Sequence, residues 1–133
     1  MTNKTRGNNF EQELCEKLSE YGFWTHNLAM NKAGQPADII AVKNKIAYLI
    51  DAKVCSVKGF ALSRVEENQE LAMTLWRERG NGFGWFALKL PTDEIYMISH
   101  LSIQTHKEKQ SILSFPEIHS IGEPLGRWVR KCK

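Results

Sequence analysis

The chain of 133 residues contains no apolar run near the roughly 20 residues of a membrane-crossing helix, and its basic start, Met1 to Arg6, leads into no apolar stretch of the signal-peptide kind. Cysteine is scarce. Three residues at scattered spacing, Cys15, Cys55 and Cys132, suit neither a disulfide framework nor a zinc site and fit a reducing cytoplasm. The four histidines (His26, His100, His106 and His119) show no ligand spacing. There is no Gly-rich phosphate loop, no Ser/His/Asp or Cys/His grouping, no repeat and no linker. What remains is one domain over residues 1–133, 42% hydrophobic and 25% charged, with a net charge of +3. Basic residues gather at its ends: Lys4 and Arg6 at the start, and Arg127, Arg130, Lys131 and Lys133 at the close. They read either as phosphate contacts or as solvated, frayed termini.

The periodicity predicts a helix from Gly7 to about Tyr21, with Phe10, Leu14, Leu18 and Tyr21 on one apolar face and Gly22 as its stop. Short strands are expected at 23–28 and 37–42, around a loop at 31–36. Residues 46–54 form the longest strand candidate, apolar on both faces except at Asp51 and Lys53, as in a strand covered on both sides. A second helix is expected over 64–79, with Val65, Ala72, Leu75 and Trp76 buried. A hairpin over 83–99 follows, then irregular structure beyond His100. This order predicts an α/β fold with a mixed central sheet flanked by helices.

Several polar residues occupy positions where apolar ones are expected. Glu11 lies within roughly 45° of the centre of the first helix's apolar arc, where a carboxylate must turn outward, pair or bind a cation. Asp38 opens a short apolar strand, as a turn cap or as a ligand. Asp51 and Lys53, two apart on one strand, leave the same face, which allows either a buried ion pair or a catalytic carboxylate and amine. Gln69 falls on the buried stripe of the second helix and needs partners there. Together these are hard oxygen donors plus one amine, a set that suits Mg²⁺ or Mn²⁺ and hydrolysis of a phosphodiester.

Asp38, Asp51-Ala52-Lys53 and the helix-borne Glu11 resemble the PD-(D/E)XK nuclease superfamily, and most closely its Holliday junction resolvases. The opening Arg6-Gly7-Asn8-Asn9-Phe10-Glu11 is similar to the start of RecU and Hjc resolvases. Asp51-Ala52-Lys53, Phe60-Ala61-Leu62, Asn68-Gln69 and Glu94-Ile95-Tyr96 look like a RecU series. The resemblance implies a restriction-endonuclease-like fold and a metal-dependent endonuclease making paired nicks in four-way DNA junctions as a homodimer. It implies Mg²⁺ or Mn²⁺ held by Asp38, Asp51 and Gln69, with Glu11 assisting and Lys53 placing the attacking water. Lys4, Arg6, Lys32 and Lys58 are expected to hold DNA phosphates. Departures from the pattern are Asp51 in place of the usual Glu, Ala37 between Pro36 and Asp38, and Asn68 where RecU has His. Only 26 residues separate Glu11 from Asp38, leaving little room for RecU's junction-engaging insertion. That compactness suggests a minimal, phage-encoded protein acting in the host cytoplasm. The alternatives are another nuclease of the superfamily, of restriction or general branched-DNA type, and a non-cutting DNA-binding module on the same fold.

Overall fold

The computed structural model of the chain describes residues 3–28 and 37–132, and the side chains of 9–28 and 37–132. The expected loop at 31–36 lies outside them. Among the described residues no helix is long and apolar enough to cross a membrane.

The chain runs α1 (Asn3–Glu20), β1 (Trp24–Asn27), β2 (Ile39–Lys43), β3 (Ile46–Val54) and β4 (Phe60–Ala61), then a 3₁₀ turn, Leu62–Arg64. It continues through α2 (Glu67–Glu78), β5 (Trp85–Lys89), β6 (Ile95–Ser99), α3 (His100–Lys107), β7 (Ile112–Leu113), α4 (Phe115–Ile121), β8 (Glu123–Pro124) and α5 (Leu125–Lys131). Six strands form a mixed sheet in the order β1-β2-β3-β5-β6-β8, and β4 pairs with β7 in a second, two-stranded sheet. In the large sheet only β3 and β5 run parallel, joined by the α2 crossover. β2 and β3 make a tight hairpin through Asn44 and Lys45, both at positive φ (52° and 71°), as two-residue hairpin turns require.

Strand alternation divides the core into two layers. Ile39, Ala41, Ile50, Ala52 and Ala87 pack under Phe10, Leu14 and Leu18 of α1 and Trp128 of α5. On the other face Leu49, Phe86, Leu88 and Ile98 meet Met73 of α2, Ile103 of α3 and Ile118 of α4. β3 is therefore covered on both sides in its second half, as its apolar composition requires.

The structure departs from expectation in four places. α1 begins at Asn3 rather than Gly7, and Tyr21 lies beyond its end and is 45% exposed. α2 begins at Glu67, so Val65 is buried ahead of the helix rather than on it. Its inward face carries Gln69 and Met73, while Leu75 is exposed. Beyond His100 the chain is helical, not irregular: Ser99 caps α3, and Ser114 with Glu117 forms a capping box on α4. Pro116 sits in the first turn of α4, where a missing N–H leaves no bond unmade, so it starts a helix that it would break further in. α5 docks through Leu125, Trp128 and Val129, so the basic C-terminal stretch is an ordered helix, with Lys131 2.7 Å from Glu123.

Candidate active site

The site forms where the β2–β3 ladder stops. Ile39 pairs with Ile50, and one residue earlier the Asp38 N–H still donates to the Ile50 carbonyl at 3.2 Å. There β2 ends, and the Asp38 carboxylate takes over the ladder: its Oδ2 accepts the Ala52 N–H at 2.9 Å. A side chain thus satisfies a buried donor that a further strand residue would otherwise meet. This bond holds Asp38 against the backbone between Asp51 and Lys53, and Asp38 is itself buried.

Asp51 is fully buried. Its Oδ1 accepts from Gln69 Nε2 at 3.0 Å, and Lys53 Nζ stands 3.2 Å from its Oδ2 as an ion pair without hydrogen-bond alignment. Gln69 is fixed in turn. Its Oε1 accepts the Glu66 N–H at 3.1 Å as half of a capping box at the start of α2. The amide oxygen is thereby committed to the helix terminus, and the amide nitrogen orients the Asp51 carboxylate. The Glu66-x-x-Gln69 spacing is a capping signal in the sequence, and it is what sequence reasoning missed about Gln69.

Glu11 approaches from α1. It is 8% exposed, and its Oε2 is buried with no hydrogen-bond partner. Burial, then the charge of Asp38 and a hydrogen bond shared with it, push the Glu11 carboxyl up to about 7, against a smaller opposing pull from Lys53. Burial and the Asp38 charge likewise hold Asp51 well above the usual carboxylate range, with Lys53 acting the other way. Three carboxylates from three elements thus repel one another in a poorly solvated place, balanced by one lysine.

Such an arrangement is costly unless the fold gains something by it. Among the described residues no three His, Cys, Asp or Glu side chains stand ready-made as a metal cage. Two oxygens, Glu11 Oε2 and Asp51 Oδ2, are nonetheless buried without a hydrogen-bond donor. Glu11 Oε2, and Asp51 Oδ2 faced only by the Lys53 ammonium, are hard oxygens beside a third carboxylate, the donor set of a small divalent cation, so the residues present fit one.

Glu11, Asp38, Asp51, Lys53 and Gln69 are therefore brought together. Lys58 is apart from them, exposed on the turn after β3, with its N–H donating to Ser56 Oγ at 3.2 Å. For Lys4 and Arg6 only the backbone of α1 is described, and Lys32 lies outside the described residues.

Residues 2–121 match the model of a family described as archaeal Holliday junction resolvase (hjc). No curated protein gives a match in sequence. Among solved structures the chain is similar to Archaeoglobus fulgidus Hjc, a Holliday junction resolvase from an archaeal hyperthermophile. The two share 21% identity and a TM-score of 0.69, over 94% of this chain and 96% of that one. At that identity the likeness establishes the fold.

Proposed function

The chain belongs to the archaeal Holliday junction resolvase family and is a junction-cutting nuclease, and from that premise we propose that it makes paired nicks as a homodimer, using a divalent cation held by Asp38, Asp51 and Glu11. The observation that carries this reading is the Asp38 carboxylate bound to the Ala52 N–H, which places it between Asp51 and Lys53 with Glu11 alongside. When bound, a cation of the Mg²⁺ or Mn²⁺ type supplies positive charge that eases deprotonation of water and offsets charge on the phosphate. Gln69 holds Asp51 in orientation from one side, and Lys53 flanks it from the other. The Lys53 amine, only partly exposed beside Asp51, is assigned the role of hydrogen-bonding the attacking water and steadying the non-bridging phosphate oxygens. In-line attack with departure of the 3′ oxygen leaves a 5′-phosphate.

Gln69 enters this scheme as the group that positions Asp51. A direct ligand role would require its oxygen to leave the Glu66 N–H. Lys4, Arg6, Lys32 and Lys58 are proposed to hold backbone phosphates. Pairing of two copies suits a nearly two-fold symmetric junction. Leu71 (60% exposed) and Leu75 (40%), four residues apart on the outer face of α2, supply an apolar stripe for that contact.

The test is a synthetic four-way junction incubated with wild type, Asp51→Asn and Lys53→Ala, with and without Mg²⁺. Symmetric nicks are expected from wild type with metal only. Both variants are expected to lose cutting by at least about 100-fold, on the order of removing one charge-stabilising group, while still binding the junction. Equal cleavage by wild type and Asp51→Asn removes the assigned site.

A further inference from the structure

Among the described residues, the sheet face that carries Asp51 and Lys53 grows more exposed toward β1, where it ends in an aromatic pair. The register fixes the geometry. Trp24 pairs with Val42 and Val42 with Ala47, while His26 pairs with Ile40 and Ile40 with Leu49. Cross-strand partners share a face and alternate residues return to it, so Trp24, His26, Ala47, Leu49, Asp51 and Lys53 all point to the same side. Exposure falls steadily across this side. Trp24 and His26 are exposed, Ile40, Val42 and Ala47 are half-buried, and Leu49 and Asp51 are buried. Among the described residues the helical cover on this face begins near β3; Ile40 and Val42 of β2 are half-buried, and Trp24 and His26 of β1 are exposed.

Trp24 is 62% exposed, far more than a residue of its size has reason to be on a strand. Its ring lies nearly parallel to that of His26, with centroids 6.1 Å apart and planes 9° off parallel. Along the strand direction His26 is offset from Asp51 by two residues, about 7 Å, and Trp24 by four, about 13 Å; both also lie two strands to the side, about 10 Å. The segment that carries the shelf is basic in sequence, although the Lys43 side chain turns to the other face, where its Nζ donates to the Tyr21 carbonyl at 2.9 Å. From residue 23 to residue 54 the sequence has four lysines (Lys32, Lys43, Lys45 and Lys53), and its two acids, Asp38 and Asp51, are both in the site.

We propose that Trp24, backed by His26, is a stacking shelf for an unpaired or unstacked nucleobase at the branch of the DNA substrate. The proposal rests on the junction-cutting reading and adds to it a contact with bases rather than with phosphates. A flat, exposed π surface on the face that carries Asp51 and Lys53 is how proteins grip single-stranded nucleic acid without reading its sequence. A fully paired duplex offers such a surface no free base, so the shelf favours branched over linear DNA.

The experiment compares wild type with Trp24→Ala and Trp24→Phe on a four-way junction and on a linear duplex of the same length. The background is Asp51→Asn, so that the DNA stays intact. Trp24→Ala is expected to bind the junction about tenfold more weakly or worse, with duplex binding unchanged, and Trp24→Phe to recover most of the loss. Because the side chain is mostly exposed, thermal unfolding should not move. Three outcomes overturn the proposal: junction binding unaffected by Trp24→Ala; an equal loss on junction and duplex; or dissociation of a dimer by Trp24→Ala in sedimentation, which would make the ring a protein contact. If the Asp51→Asn parent itself fails to prefer the junction over the duplex, the junction-cutting reading falls and takes the shelf with it. Loss of preference only in Trp24→Ala leaves that reading standing and supports the shelf.

Discussion

Glu11 shows most plainly how this protein places charge where folding alone would not. Its carboxyl is pushed up to about 7 by burial and by Asp38, from an ordinary value of 4.5. A raised carboxyl favours the protonated form in the fold. Its contribution is fully present below about pH 4.5 and is lost as pH rises through about 7. Without divalent metal, wild type should therefore lose stability over that window relative to Glu11→Gln. Divalent metal should cancel the loss by replacing the proton. Urea unfolding of both proteins at pH 5 and pH 8 reads this directly, and parallel pH profiles would contradict it. At this scale much of the site was legible in the sequence. Glu11, Asp38, Asp51 and Gln69 each stood as a polar residue on an apolar face, and all four are buried. What could not be read was their mutual geometry. The Asp38 bond to the Ala52 N–H depends on where the ladder stops, and the commitment of the Gln69 oxygen depends on where α2 starts.

Elements deliver these residues, and their boundaries decide the chemistry. β3 falls at residues 46–54 as its apolar run predicts, because a nine-residue strand bounded by a turn and a Ser-Val-Lys-Gly connection leaves little freedom. α2 was misplaced by three residues at its start because Val65 is apolar and in phase with the helix. It is buried at the end of the 3₁₀ turn instead, and Leu75, about 80° from it around a helix, faces outward. The C-terminal helices were missed because Pro and Gly there read as breakers, whereas Pro116 serves as a helix starter beside the Ser114 cap. Ser114 Oγ accepts from the Glu117 N–H at 3.3 Å, and Glu117 Oε1 accepts from the Ser114 N–H at 3.0 Å. Ser114→Ala should lower stability by about 1 kcal/mol through loss of the cap. The expected readout is a lower urea midpoint at unchanged slope; an unmoved midpoint would mean that tertiary packing of Ile118 alone holds α4.

For the whole molecule, the consequence is a sheet covered on one side by α1 and α5 and on the other, from β3 onward, by α2, α3 and α4. The candidate site residues stand where, among the described residues, burial across the sheet gives way to exposure. Burial there raises the cost of three carboxylates. The mixed sheet flanked by helices follows from the order of apolar segments, and membership of the resolvase family agrees with the residues that suggested it. The central claim is that Asp51, Asp38 and Glu11 jointly hold a divalent cation. Calorimetric titration of Mn²⁺ into the DNA-free protein at pH 7.5 tests it most directly. The account predicts saturable binding by wild type, at least about tenfold weaker binding by Asp51→Asn and by Glu11→Gln, and release of protons on binding. No binding by wild type, or equal binding by Asp51→Asn, would contradict it.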